Sequence, residues 1–284
     1  MTNTINIRGR LMDLSTPQVM GILNATPDSF YSGSRKQTGE EIARRAIQIV
    51  EEGGTIVDVG AFSTRPGADI VSEEEELARL RHALTIVRRE LPDTPVSVDT
   101  YRPHVARVCV EELGADIIND VSEGGITGVV DTPIDEPGDM FETVARLGVP
   151  YILMSVKSNL HDMMIAFAAE VDRLHSLGVK DIILDPGFGF GKSLDDNYRI
   201  MAGLNKLSEL DLPLLVGISR KSMIFRLLDG TPETSLNGTT VLNTMAIAAG
   251  ASILRVHDVA ECVEAVRIMG RMQINKDQNI IKNV

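Results

Sequence analysis

Short apolar runs, each closed by a polar residue and followed by a stretch of helical periodicity, recur from one end of this chain to the other. They read Gln18 to Asn24 (QVMGILN), Thr55 to Gly60 (TIVDVG), Pro95 to Thr100 (PVSVDT) and Asp116 to Val121 (DIINDV). Pro150 to Ser155 (PYILMS), Asp181 to Asp185, Pro213 to Ser219 (PLLVGIS) and Ser252 to Val256 (SILRV) continue the series. Runs that are apolar on both faces belong in a parallel sheet covered by helices. About eight βα units in 284 residues favour a single-domain closed (β/α)8 TIM barrel over a doubly wound sheet. A Rossmann reading lacks its GxGxxG after the first strand.

The helical patterns run from Glu40 to Glu52, Ser72 to Glu90, through Leu113 to the stop at Gly114, and from about Asp139 to Leu147. Met163 to Leu177, Asp195 to Leu210, the region after Arg220-Lys221-Ser222 up to Gly250, and a last helix to about Met272 complete the set. Residues 273–284 read as a loosely ordered tail. Ser72 with Glu75 makes a capping box, and Glu73 to Glu76 is most simply a helix start with a solvated face.

The net charge of −12 argues against nucleic acid, whose phosphates need a basic face, yet leaves room for a small anionic substrate. No apolar run approaches a membrane span, and no apolar segment of secretory type follows Arg8, Arg10 and Asp13. Cys109 and Cys262 form no CxxC, which fits a reducing, cytoplasmic setting.

Strand ends carry the chemistry. They present Asn24, Asp58, Asp99, Asn119, Met154, Asp185, then Arg220-Lys221, then Arg255 with His257. In a barrel these ends converge on one face, where active sites lie. Any one of them could merely cap a helix or set a turn. Asp58 is the most readily structural, being separated from the cationic part of its loop. Asp99, Asn119 and Asp185 suit a flat heterocycle with N–H and NH2 donors. Lys221, Arg255 and His257 suit phosphates or a leaving anion. Ile182 to Lys192 (IILDPGFGFGK) delivers Asp185 to a glycine-rich loop carrying Phe188 and Phe190. It is not a phosphate-binding P-loop, because Pro186 occupies the position of the required first glycine. The loop Ser63-Thr64-Arg65-Pro66-Gly67 adds hydroxyls and a guanidinium. His82, His104, His161 and His175 lack ligand spacing, so any metal must be hard and oxygen-bound.

Together, MGILNATPDSF (20–30), DVGAFSTRPGA (58–68), SVDT (97–100), GADIIND (114–120), ILDPGFGFGK (183–192), GISRKS (217–222) and RVHDV (255–259) resemble the dihydropteroate synthases. These are folate-pathway enzymes built on a pterin-binding barrel. The resemblance implies condensation of 6-hydroxymethyl-7,8-dihydropterin diphosphate with p-aminobenzoate to dihydropteroate and pyrophosphate. It implies a pterin pocket of Asp99, Asn119, Met154, Asp185 and Lys221. It implies a diphosphate site of Asn24, through Mg2+, with Arg255 and His257. Thr64, Arg65, Pro66, Phe190, Lys221 and Ser222 match the p-aminobenzoate site, and the resemblance implies that Asp28 acts near the reacting carbon. Asp28, Arg65, Lys221 and Arg255 are the residues expected to act in catalysis. A homodimer formed through the later helices is also implied.

The chain departs from the family pattern at Ser32, where an aspartate is usual, at Phe62, where an acid is usual, and at Ser155, where a histidine is usual. Residues 127–137 add an unusual segment. Phe62 is expected to reshape the aminobenzoate side. Two other readings share the pterin carboxylates: a methyltransferase barrel, which would need neither STRPG, SRKS nor Arg255-His257, and a paralogue that binds pterin without turnover.

Overall fold

The computed structural model describes residues 4–25, 35–62, 71–124 and 140–281. The chain opens with strands β1 (Thr4–Ile7) and β2 (Arg10–Asp13), which pair antiparallel. Strands β3 (Gln18–Asn24), β4 (Ile56–Gly60), β5 (Val96–Asp99) and β6 (Ile117–Asp120) follow, then β7 (Tyr151–Met154), β8 (Ile182–Asp185), β9 (Leu215–Val216) and β10 (Ile253–Val256). Helices α1 (Arg35–Glu51), α2 (Glu73–Glu90), α3 (Pro103–Glu111), α4 (Met140–Leu147) and α5 (Leu160–Ser176) alternate with them. So do α6 (Leu194–Ala202), α7 (Ser222–Leu227), α8 (Leu236–Ala248) and α9 (Val259–Ile281). The sheet is parallel in the order β8-β7-β6-β5-β4-β3-β10-β9. Its two edges meet through a parallel bridge between Leu184 and Leu214, so the expected barrel is formed.

Period-two alternation sorts each strand's residues between the inside and the helix layer. Met20, Ile56, Ile117, Ile152, Ile183, Leu215 and Ile253 form one buried cluster inside the barrel. Their outward neighbours, including Val57, Val98, Ile118, Leu153, Leu184 and Leu254, pack under the helices. Gly21 faces α1, where a Cβ would run into the Ile49 side chain, so this strand–helix approach requires glycine.

The β1–β2 hairpin closes the floor of the barrel, a feature the sequence reading lacked. Ile5, Ile7 and Leu14 join the interior cluster. The turn at Arg8 (φ 49) and Gly9 (φ 80) is of the left-handed kind that twists with its strands. Arg8 pins it by pairing with Asp116, which also accepts from Arg88 Nη2 at 2.6 Å and Val96 N at 2.8 Å.

Several helix limits differ from expectation. The Asp195–Leu210 pattern breaks at Gly203 into α6 and a 3-10 segment, Leu204–Leu210. The pattern after Lys221 splits into α7 and α8. The last helix continues to Ile281, since no glycine or proline stops it after Met272. Ser72 caps α2 by accepting from Glu75 N at 3.2 Å, but the Glu75 carboxylate pairs with Arg79 instead of closing the box. Glu76 is not on a solvated face: it is fully buried, bonded by Thr100 Oγ1 at 2.7 Å and by Arg102.

Candidate active site

The same inward phase that places isoleucine at the barrel floor places the polar side chains one layer higher. Two residues on from Ile56, Ile117, Ile152, Ile183 and Ile253 stand Asp58, Asn119, Met154, Asp185 and Arg255. Cross-strand register brings Gly60 level with Asp99, Asp99 with Asn119, and Met154 with Asp185. The site is thus the top layer of the barrel interior, at the C-terminal ends of the strands. It opens into a cleft of about 390 Å³ lined by Asn24, Asp99, Phe190, Lys221, Ser222, Arg255 and His257, among others.

Arg255 is the electrostatic hub. Its Nε donates to Asp58 Oδ2 at 2.6 Å and its Nη2 to Asp99 Oδ2 at 2.7 Å. Burial opposes its charge, but Asp58 and Asp99 outweigh that and raise its pKa. Asn119 Nδ2 donates to Asp58 Oδ2 at 3.3 Å. Asp58 therefore belongs to the site, where it holds the guanidinium and the amide, rather than to the scaffold alone. Asp99 Oδ1 and Asn119 Oδ1 are buried and have no hydrogen-bond partner among the described residues. Burial lifts the carboxyl of Asp99 above the usual range despite Arg255. Burial does the same at Asp185, against the pull of Lys221 and of the Gly187 N–H, which donates to Asp185 Oδ1 at 2.8 Å.

The glycine-rich loop after β8 is fastened by two lysines. Lys221 donates to the Phe188 carbonyl, and its Nζ lies 4.7 Å from the centre of the Phe190 ring. Lys192 Nζ donates to the carbonyls of Ser155 (2.8 Å), Gly187 (2.9 Å) and Phe190 (3.1 Å). The path needs glycine at 187, where φ is +65 and a Cβ would meet the Ser155 carbonyl. Burial pushes both lysines down to about 8, although Asp185 resists the shift in each.

His257 is oriented by Ser219, whose Oγ lies 3.1 Å from Nδ1 and accepts from His257 N at 3.1 Å. Arg45, from α1, reaches the His257 carbonyl at 2.6 Å and Ile22 O at 3.2 Å. Arg220 also borders the cleft, but its guanidinium is paired with Asp258, whereas Lys221 is turned toward Asp185 and the glycine-rich loop. Beside these groups lies an apolar arc of Tyr101, Val121 and Met154, with Phe62, Val156 and Phe190 packed on it.

The structure thus gathers Asn24, Asp99, Asn119, Met154, Asp185, Phe190, Lys221, Ser222, Arg255 and His257 around one cleft and the layer beneath it. Asp28, Thr64, Arg65, Pro66, Ser32 and residues 127–137 lie outside the described residues. Sequence reasoning missed the parts played by Asp58, Lys192, Ser219 and Arg45. For Asp58 the signal was available in its inward phase. For Arg45, a helix residue, there was none.

The family model described as pterin binding enzyme matches residues 20–257. The dihydropteroate synthase of Escherichia coli (strain K12) is 40% identical over 277 residues, covering 92% of this chain and 94% of that protein. Among solved structures, Xanthomonas albilineans dihydropteroate synthase with 4-aminobenzoic acid superposes with a TM-score of 0.83. It is 35% identical and covers 96% of this chain and 99% of its own. Yersinia pestis dihydropteroate synthase in complex with a sulfonamide drug gives the same TM-score, 0.83, at 37% identity, covering 95% and 99%. Strand-end carboxylates, an arginine paired to two of them and a lysine-fastened glycine loop are thus set in a barrel whose relatives share more than a third of its residues, and the chain belongs to the pterin binding enzymes and, among them, to the dihydropteroate synthases.

Proposed function

We propose that the two sides of the cleft divide the dihydropteroate synthase reaction between them. In that reaction the amine of p-aminobenzoate attacks the exocyclic carbon of 6-hydroxymethyl-7,8-dihydropterin diphosphate. The C–O bond breaks, pyrophosphate leaves with the electron pair, and the amine sheds a proton. One observation carries the assignment. Asp99 Oδ1 and Asn119 Oδ1 are buried acceptors without donors among the described residues, a state that costs about 1–3 kcal/mol each until a partner arrives. A pterin's amino and ring N–H groups supply such donors. Asp185, buried between Lys221 and the Gly187 N–H, would meet the same edge and favour positive character at the reacting carbon.

Arg255 and His257 suit the departing pyrophosphate, with Ser219 and Arg45 fixing the histidine. A magnesium ion arriving with the diphosphate fits Asn24. Its exposed side chain ends β3 at the cleft, and Mg2+ on phosphates takes only one or two protein oxygens. Such an ion would neutralise part of the diphosphate charge. Phe190, Lys221 and Ser222 frame the place for p-aminobenzoate and for sulfonamides that mimic it, with Thr64, Arg65 and Pro66 assigned there by resemblance. Asp28 is assigned near the reacting carbon on the same ground. The amine needs positioning more than a strong base, so no covalent enzyme intermediate is required.

Leu227, Leu228, Val241, Met245, Ile268 and Met272, on α7 and its C-cap and on α8 and α9, are exposed apolar side chains, which supports a homodimer through these helices. Light scattering on Met245→Glu should then report a monomer. The free, buried Cys109 and Cys262 support a cytoplasmic setting; among the described residues no helix is long and apolar enough to cross a membrane.

The test of function is pyrophosphate release from the purified protein given pterin diphosphate, Mg2+ and p-aminobenzoate. Release that depends on all three supports the reading. Pterin binding without release would leave a non-catalytic paralogue in its place.

A further inference from the structure

The apolar arc is held in place by a charged network that the reaction itself does not use. Tyr101, only 6% exposed, meets Phe62 edge to face, with ring centres 5.2 Å apart and planes at 85°. The Arg102 guanidinium carbon lies 4.6 Å from the centre of the same tyrosine ring. Arg102 is itself immobilised: it pairs with buried Glu76, donates from Nη2 to the Val71 carbonyl at 2.7 Å, and from its backbone N to Thr100 Oγ1 at 3.2 Å. Thr100 in turn donates to Glu76 Oε1. A second arginine, Arg79, pairs with Glu75 and donates to the Ala61 carbonyl at 2.8 Å, beside Phe62. The first turn of α2 thus fixes the backbone on both sides of residues 63–70 and the ring against which Phe62 rests.

Phe62 lines the cleft with Phe190, Lys221 and Ser222 and packs on the same apolar cluster as Phe190, whereas the Arg255 guanidinium is held by Asp58 and Asp99. A ring clamped edge to face presents a flat, low-entropy wall, which suits an aromatic partner better than a diphosphate. We propose that Phe62 and Tyr101 determine the specificity for the aromatic amine substrate, and that the Glu76–Arg102 pair is a positioning device for this wall. The proposal rests on reading Phe190 and Ser222 as the aromatic amine site.

The test measures KM for p-aminobenzoate and for the pterin diphosphate separately in Tyr101→Ala, Tyr101→Phe, Arg102→Met and Phe190→Ala, with circular dichroism to establish folding. Tyr101→Ala and Arg102→Met should raise KM for the amine roughly tenfold with kcat and the pterin KM held. Tyr101→Phe, which keeps the ring, should restore it to within about twofold. If Tyr101→Ala does not fold, Phe62→Leu, which alters only a partly buried side chain, takes its place with the same expectation. A rise in Phe190→Ala with none in the wall variants would overturn the proposal and leave the amine site standing. No rise in any variant would overturn the amine-site reading and the wall with it. A pterin KM that climbs in step with that of the amine would also sink the proposal, since the wall would then serve the heterocycle.

Discussion

Arg255 and His257 stand at the end of β10 and Lys221 just beyond β9, whereas Tyr101, Val121 and Met154, with Phe62 packed on them, form an apolar cluster at the ends of β4 to β7. The charged side depends on a few buried ions that hold one another: Arg255 is fixed by Asp58 and Asp99, and Lys221 is balanced by Asp185. The apolar side depends on packing, and its ions, Glu76 and Arg102, sit behind the rings. Removing a single charge should therefore be costly on the first side, while the second should yield in smaller steps. The contrast also separates tasks, since charge stabilises what departs and shape selects what enters.

The largest effect should come from Asp185→Asn, which keeps the shape and deletes a carboxylate buried between Lys221 and the Gly187 N–H. Pyrophosphate release should fall by about 10³. Asp58→Ala comes next. It removes the Nε anchor of Arg255 and the partner of Asn119 Nδ2, and so misplaces both groups. Catalytic efficiency, kcat/KM, for the pterin diphosphate should drop about 10²-fold, with KM for p-aminobenzoate unchanged. Equal loss for both substrates would blur the two sides into one.

The charged half was legible residue by residue because each polar group is a single letter at a strand end, two positions beyond an inward isoleucine or, for Asp99, beyond inward Ser97. Asp99, Asn119, Asp185 and Arg255 could be named that way. Asp58 shares their phase, yet its role depends on Arg255, 197 residues later in the chain. Lys192 was visible beside the glycines, but three carbonyl partners, one of them in the Ser155 turn, are a property of the folded loop. Glu76 illustrates the converse. Four consecutive glutamates read as a solvated helix start, and only the docking of α2 against Thr100 and Arg102 buries the last of them. The floor hairpin was missed because strands as short as Thr4–Ile7 carry too few residues to show a period.

The pH profile sharpens the comparison on its charged side. Lys221 and Lys192 are pushed down to about 8 by burial, so both are cationic below that pH and lose their protons as pH rises through it. Lys192 then has two N–H groups for three carbonyls, and Lys221 no longer supplies positive charge. Efficiency with the pterin diphosphate should decline above about pH 8, by up to about tenfold per unit. A limb appearing only near the ordinary lysine value of about 10.4 would contradict the burial of these groups. On the apolar side, Phe62→Glu adds a carboxylate beside Tyr101 and should change sulfonamide inhibition severalfold. Identical inhibition constants for the two proteins would remove Phe62 from the drug-facing wall.

The smallest effect separates stability from specificity behind that wall. Ser72 and Glu76 both belong to the start of α2, but they act differently. Ser72 accepts a hydrogen bond from Glu75 N and touches nothing in the cleft, so Ser72→Ala should cost only about 1 kcal/mol. In a chain of this size that lowers the melting temperature by about 2–4 °C. Its kinetic constants should match those of the parent protein. Glu76→Gln keeps an acceptor for Thr100 but withdraws the charge that holds Arg102 beneath the aromatic wall. It should raise KM for the amine with little further loss of melting temperature, because burial already raises the carboxyl of Glu76 and makes its ionised form expensive. If the two variants shift melting temperature alike and leave both KM values untouched, the start of α2 is a helix terminus and nothing more. If only Glu76→Gln moves the amine KM, the acidic turn tunes the apolar half of the cleft from behind.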